Sequence, residues 1–332
     1  MASSEPEPSR RSERRAGRGP LSWLACLALA LALPAVASEY RLFQLGLIAS
    51  TAIIAAGLVV VTGVAGQVSL AQAAFAALGA YGSTLLALRL GISPWLGVPL
   101  TAALTGAAGY VLGLLTLRVG GHYLALATMA LTAIVQVVLL HWEALTGGAL
   151  GLAVEPLTLA GTALASGRAL YYVVVPVAFA MFAAASNLLD SRIGRALSAL
   201  RQSEAAAQSL GIGLVHHKSL AFAASAVFGA VGGALQALQA TYLDPQSFGI
   251  LDSVLLVAVV IVGGFRSLAG AVLGSAVFTL IPDMLGAFQS YKGVAFALLL
   301  LLAVVLFPRG IAGLAASVLT GARARLARKP AR

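Results

Sequence analysis

The chain has 332 residues, of which 60% are hydrophobic and only 10% charged, with a mean hydropathy of +0.96. A soluble domain carries roughly 25% charge, so a soluble enzyme or binding module is excluded. The net charge of +10 comes from 21 Lys and Arg against 11 Asp and Glu. It collects in two tails and in short loops, where it sets orientation and meets anionic lipid, and it is no nucleic-acid footprint.

The apolar residues come in runs of about 20, the length a helix needs to cross the hydrocarbon core. They are continuous rather than alternating, which rules against a membrane barrel. The expected fold is an all-α polytopic membrane protein. A Ser-, Pro- and Arg-rich tail over 1–20 is followed by a first apolar run, 21–37. That run ends in Ala35-Val36-Ala37, which also imitates a signal-peptidase site, so a cleaved leader is the alternative to a retained span. Further spans are predicted at 42–62, 67–88, 94–117, 122–141, 169–189, 219–240, 250–265, 267–286 and 291–308, about ten in all. Gly263, Gly264 and Gly270 allow 250–286 to be broken or re-entrant instead. A membrane domain over 21–310 then ends in a basic tail, 311–332.

Starting inside and alternating leaves only Arg41, Arg89, Arg168 and Lys292 outside and puts the other 17 of the 21 Lys and Arg inside. This fits an N-in/C-in arrangement by the positive-inside rule. Asp252 and Asp283 fall near outer helix ends, and the spans contain little other charge. Gly66-Gln67-Val68-Ser69 opens the third span, with Gln72 one turn in. Gln67, Ser69 and Gln72 are candidates for lining a path or for bonding neighbouring helices. Gly79, Gly82, Gly106, Gly109, Gly113, Gly229, Gly232 and Gly233 read as close helix contacts. Tyr81, Trp95, Tyr123 and Trp142 read as interface anchors. The longest external connection, 142–168, carries Thr146, Gly147 and Gly148, which fit either a turn or a cover over the outer mouth.

The long polar interruption 190–218 lies between the sixth and seventh spans, on the predicted cytoplasmic face. Ser203 fits an N-cap, Glu204 suits the first turn and Gly211 fits the position just past the helix end. The result is a short cytoplasmic helix over 204–210. Enzyme constellations are missing. None of the three lysines follows a glycine, so the chain carries no Walker A loop, and no metal site or cofactor is expected. With one cysteine, Cys26, no intramolecular disulfide can form.

Six segments, in order, carry a resemblance: GQVSLAQAAFAALGAY at 66–81, LRVGGHYLALATMAL at 117–131, WEALTGGALGL at 142–152, SRIGRALSALRQSEAAAQSLGI at 191–212, IVGGFRSLAGAVLGS at 261–275 and FPRGIAGL at 307–314. Over roughly 57–314 the chain resembles the LivM-type permease subunits of branched-chain amino acid ABC importers. The resemblance implies a bacterial inner-membrane permease that moves hydrophobic amino acids and does not itself hydrolyse ATP. The implied partners are a second, LivH-type permease, two cytoplasmic ABC ATPases and a periplasmic or lipid-anchored substrate-binding protein. It also makes the 190–218 segment similar to the loop that docks on the ATPase, with Arg201, Glu204, Ala205, Ala206 and Gly211 as the coupling candidates. Three departures stand out. Four residues rather than three separate Glu204-Ala205-Ala206 from Gly211, and no Leu-Pro ends the loop. Gln72 occupies a position where His is common, and Phe265-Arg266 replaces small or apolar residues. Urea, short amides and other amino acids remain alternative substrates, and a stand-alone carrier or channel remains the alternative mechanism.

Overall fold

The computed structural model describes residues 20–115, 122–159, 162–164, 166–284 and 310–311. Its organising element is α2, Glu39–Leu58, which runs on without a break through a π-helical turn, Val59–Val64. Together they make a 26-residue apolar helix. From Ala52 to Val61 every residue is buried, so α2 is surrounded by protein rather than lipid.

The second central helix is α10, Leu214–Ala240. It packs against α2, α3 (Gln72–Leu90) and α4 (Pro94–Leu115). Small residues make this possible, as in other membrane bundles where close packing replaces the hydrophobic drive. A Cβ on Gly79 would lie 2.0 Å from the Ala230 carbonyl oxygen, and one on Gly233 2.1 Å from that of Ala76. The other predicted contact glycines also face neighbours: Gly106 faces Val227, Gly109 faces Ala226, and Gly232 faces Ile54. The opposite face of α4 exposes Leu96, Leu100, Leu104, Val111 and Leu115, the pattern of a lipid-facing stripe.

Around this pair stand α5 (His122–His141) and α7 (Gly167–Asp190). The first helix, α1 (Pro20–Ala32), continues only to Ala35 as a 3-10 turn. This is shorter than the ~20 residues a full crossing takes. It leans on α7, with Trp23 edge-on to Phe179 and the Tyr171 hydroxyl donating to the Ala30 carbonyl at 2.9 Å.

Among the described residues six helices are long and apolar enough to cross a membrane. The predicted pair 250–286 is α11 (Ile250–Gly263) and α12 (Leu268–Met284), bent by 120° at residues 264–267. The described parts, 14 and 17 residues long, and the bend between them fit the broken or re-entrant alternative. The predicted span 291–308 lies outside the described residues.

Short elements close the ends. After α5 come α6 (Glu143–Thr146), β1 (Leu152–Ala153), β2 (Thr158–Leu159) and β3 (Thr162–Ala163). β2 and β3 form a hairpin, while β1 pairs antiparallel with β4 (Tyr242–Leu243), Leu152 opposite Leu243. At the other end α8 (Arg192–Gln202) and α9 (Glu204–Ser209) join α7 to α10.

Candidate functional site: an interrupted helix, a midspan cavity and the α8–α9 helix pair

The third span does not begin at Gly66. Residues 66–71 are non-helical and α3 starts at Gln72. Gly66, with φ of +73°, turns the chain beside Arg201. The side-chain amide of Gln72 donates to the Ile54 carbonyl at 2.8 Å, and Ile54 lies midway along the α2 span. Six extended residues reach up to ~20 Å, whereas the helix from Ile54 down to Gly63 rises only ~14 Å. The segment therefore has the length to climb from the Arg201 end of the bundle to its middle. The hydropathy of Val68, Leu70 and Ala71 disguises it as helix.

Non-helical backbone at this depth must find partners inside the protein, and it does. The Leu70 N–H donates to the Thr128 hydroxyl at 2.9 Å, and the Thr132 hydroxyl donates to the Leu70 carbonyl at 2.7 Å. Both threonines lie on one face of α5. The Ala73 N–H, orphaned at the helix start, donates to the Ser253 hydroxyl of α11 at 3.1 Å. The buried Ser69 hydroxyl accepts from the Ala71 N–H at 3.4 Å. Gln72 is fully buried and joins three helices. Besides Ile54, it meets the Ser225 carbonyl at 3.3 Å and accepts from the Ser225 hydroxyl at 2.8 Å.

The Ser253–Ala73 bond puts the start of α11 at the same depth. Asp252 is therefore half-buried beside the start of α3, not at the outer end of a full-length span as expected. Its carboxylate Oδ2 accepts from the Gly249 N–H at 2.9 Å and caps α11. The chain reaches it by dipping inward from Ala240 through β4 and the turn Pro245–Phe248. Tyr81, expected as an interface anchor, is buried against this dip. Its hydroxyl donates to the Leu243 carbonyl at 3.3 Å and its ring meets Phe248 edge-on. Trp95, Tyr123 and Trp142 are exposed, as anchors should be.

Between these interrupted elements is a cavity of ≈ 240 Å³. Thr51 and Ile54 line it from α2, Ala73 and Ala76 from α3, and Gln236 from α10. Ser247 and Phe248 come from the turn, Asp252, Leu255, Leu256 and Val259 from α11, and Phe278 and Thr279 from α12. The Gln236 amide donates to the Thr51 hydroxyl at 3.0 Å. One wall is thus polar and the other aliphatic and aromatic. Two larger cavities, ≈ 510 and ≈ 520 Å³, are lined almost wholly by apolar side chains and offer no comparable polar set. None of Thr51, Gln236, Ser247 and Thr279 is singled out by sequence, and Asp252 is noted only as a charge near an outer helix end. The available signal was isolated polar residues within apolar runs.

The candidates of the polar interruption 190–218 gather elsewhere. The Ser203 hydroxyl accepts from the Ala206 N–H at 3.3 Å, confirming the N-cap of α9. Gly211 has φ of +80°, and the Gly211 and Ile212 N–H groups return to the Gln208 and Ala207 carbonyls at 2.9 and 3.1 Å. Glu204 pairs with Lys218 at the start of α10, 2.7 Å apart. Ala205, Ala206 and Leu210 are exposed, and Ala207 is buried as the foot of the helix.

Arg201 points the other way, its guanidinium donating to the Gly63 carbonyl at the end of α2. Burial and the nearby Arg266 both lower its pKa. A Cβ on Gly66 would lie 2.8 Å from the Arg201 side chain. Arg201 therefore joins α8 to the foot of the 66–71 segment, close to Gln67. Thr146, Gly147 and Gly148 are at the opposite end and do not line the cavity. The Thr146 hydroxyl donates to the Leu139 carbonyl at 2.7 Å and closes a glycine turn, which Arg89 holds by donating to the Ala144 carbonyl at 2.6 Å.

A multi-pass α-helical bundle, interrupted midway around a part-polar cavity and carrying a capped helix pair at one end, is the architecture of a membrane transport protein. Residues 40–307 match the family described as branched-chain amino acid transport system / permease component, and the chain belongs to that family. It is similar to two high-affinity branched-chain amino acid transport system permease proteins LivM, from Salmonella typhimurium and Escherichia coli. Each is 29% identical over 312 residues, covering 87% of this chain and 73% of the relative. No solved structure matches the chain.

Proposed function

We propose that this chain is the permease subunit of an inner-membrane ABC importer, and that its solutes are branched-chain, hydrophobic amino acids. The family match over residues 40–307 carries the reading. The names of the two LivM relatives support the solute class. ATP hydrolysis belongs to two partner ATPases, a binding protein delivers the solute, and a second, LivH-type permease completes the membrane unit.

In this reading α9 is the surface the ATPases push. It is short, capped at both ends, and exposed at Glu204, Ala205, Ala206 and Leu210, as a rigid docking knob should be. The push passes through α8 to Arg201 and so to Gly63 and Gly66. From there the 66–71 segment leads to Gln72 and the cavity. The predicted N-in/C-in orientation places α9 on the ATP side.

Uptake measured in the native host decides the solute. Deleting the gene is expected to abolish high-affinity import of leucine, isoleucine and valine and leave urea and acetamide import unchanged. The opposite pattern would assign the chain to the urea and amide importers.

A further inference from the structure

We propose that the midspan cavity recognises the α-ammonium group of its solute through Asp252. This rests on the amino acid permease reading and names a site within it.

A carboxylate within a membrane bundle is expensive and persists where it meets a cation, a proton or water. Asp252 spends Oδ2 on the Gly249 N–H. Among the described residues no cationic side chain is paired with it. The carboxylate also bonds its own backbone N–H, and Asp252 lines the cavity. No group of three or more His, Cys, Asp or Glu that could hold a metal ion occurs among the described residues, and a single carboxylate does not make a divalent-metal site. An ammonium needs only that one charge and a few neutral acceptors. Ser247, Thr51 and Gln236, which carry neutral acceptor oxygens, line the same cavity. Phe248 and Leu255 supply an apolar wall for a branched side chain. At ≈ 240 Å³ the cavity is smaller than a drug-sized pocket, which suits a single amino acid. The rival role, a carboxylic acid that keeps its proton, makes a different prediction, because asparagine mimics that form.

The test uses the intact importer in its host. Asp252→Asn keeps an acceptor for the Gly249 N–H and removes the charge, and Asp252→Glu keeps the charge. Leucine uptake is expected to fall about ten-fold or more in Asp252→Asn, and to recover in part in Asp252→Glu, with each variant still inserted and still co-purifying with its partners. A second readout places a reporter thiol in the cavity, Thr279→Cys in a Cys26→Ser chain. Leucine should slow its alkylation, 4-methylpentanoate, which lacks the ammonium, should not, and Asp252→Asn should erase the difference. If the unaltered chain imports leucine and Asp252→Asn does so equally well, or if the two compounds protect equally, the ammonium site is wrong and the permease reading stands. If the unaltered chain imports none of the three branched amino acids, the permease reading fails. Protection of the same thiol by primary ammonium compounds then decides the site independently.

Discussion

At the scale of single residues, Gln72 and Glu204 show how differently two polar groups act. Gln72 is fully buried, with bonds to Ile54 and to both the carbonyl and hydroxyl of Ser225. Gln72→Leu keeps most of the volume and removes every one of these bonds, and should cost ~1–3 kcal/mol. A lower unfolding temperature of the detergent-solubilised chain would show it, and an unchanged one would contradict the assignment. Glu204 is half exposed in its pair with Lys218. Such pairs contribute about 0–1 kcal/mol, so Glu204→Gln should leave the unfolding temperature within error. If α9 docks on the ATPases, the same change should still weaken ATPase co-purification. Sequence marks both residues as noteworthy, but not these partners: Ser225 is 153 positions from Gln72, and no local pattern encodes that pairing.

At the scale of elements, the long spans were legible because hydropathy over 20 residues reports them directly. The capped α9 was legible because Ser203 and Gly211 carry local, stereochemical signals. The interruption at 66–71 was not, since Val68, Leu70 and Ala71 are as apolar as a helix and the stabilising groups, Thr128, Thr132 and Ser253, come from other elements. The misplaced depth of Asp252 follows from the same blindness, for a hydrophobic run does not reveal that it starts halfway through the bundle. Two predictions belong here. Thr132→Val removes the donor to the Leu70 carbonyl and should cost ~1–3 kcal/mol, with faster proteolysis near residue 70. At Gly211 an added Cβ meets open space, so only the positive φ resists substitution. Gly211→Val should therefore fray α9, costing ~1–2 kcal/mol, while Gly211→Asn, which tolerates this conformation, should retain most uptake. Equal loss in both variants would mean that the glycine surface itself is a contact.

At the scale of the whole molecule, two groups of features are joined through Arg201 and through α10, which pairs with α9 at Lys218 and lines the cavity at Gln236. Arg201, near the junction of α8 and α9, meets the end of α2 and the foot of the segment that leads to the cavity. A bare carrier would need the cavity alone and would have no use for a rigid exposed knob at one end. The most direct measurement is a gentle-detergent purification of the tagged chain from its native membrane, with mass spectrometry of what accompanies it. The account predicts a second permease and two Walker-containing ATPases, with the ATPases lost when Glu204 and Gly211 are both altered. A homo-oligomer without ATPases, even after crosslinking, would contradict it and would make α9 an ordinary connector.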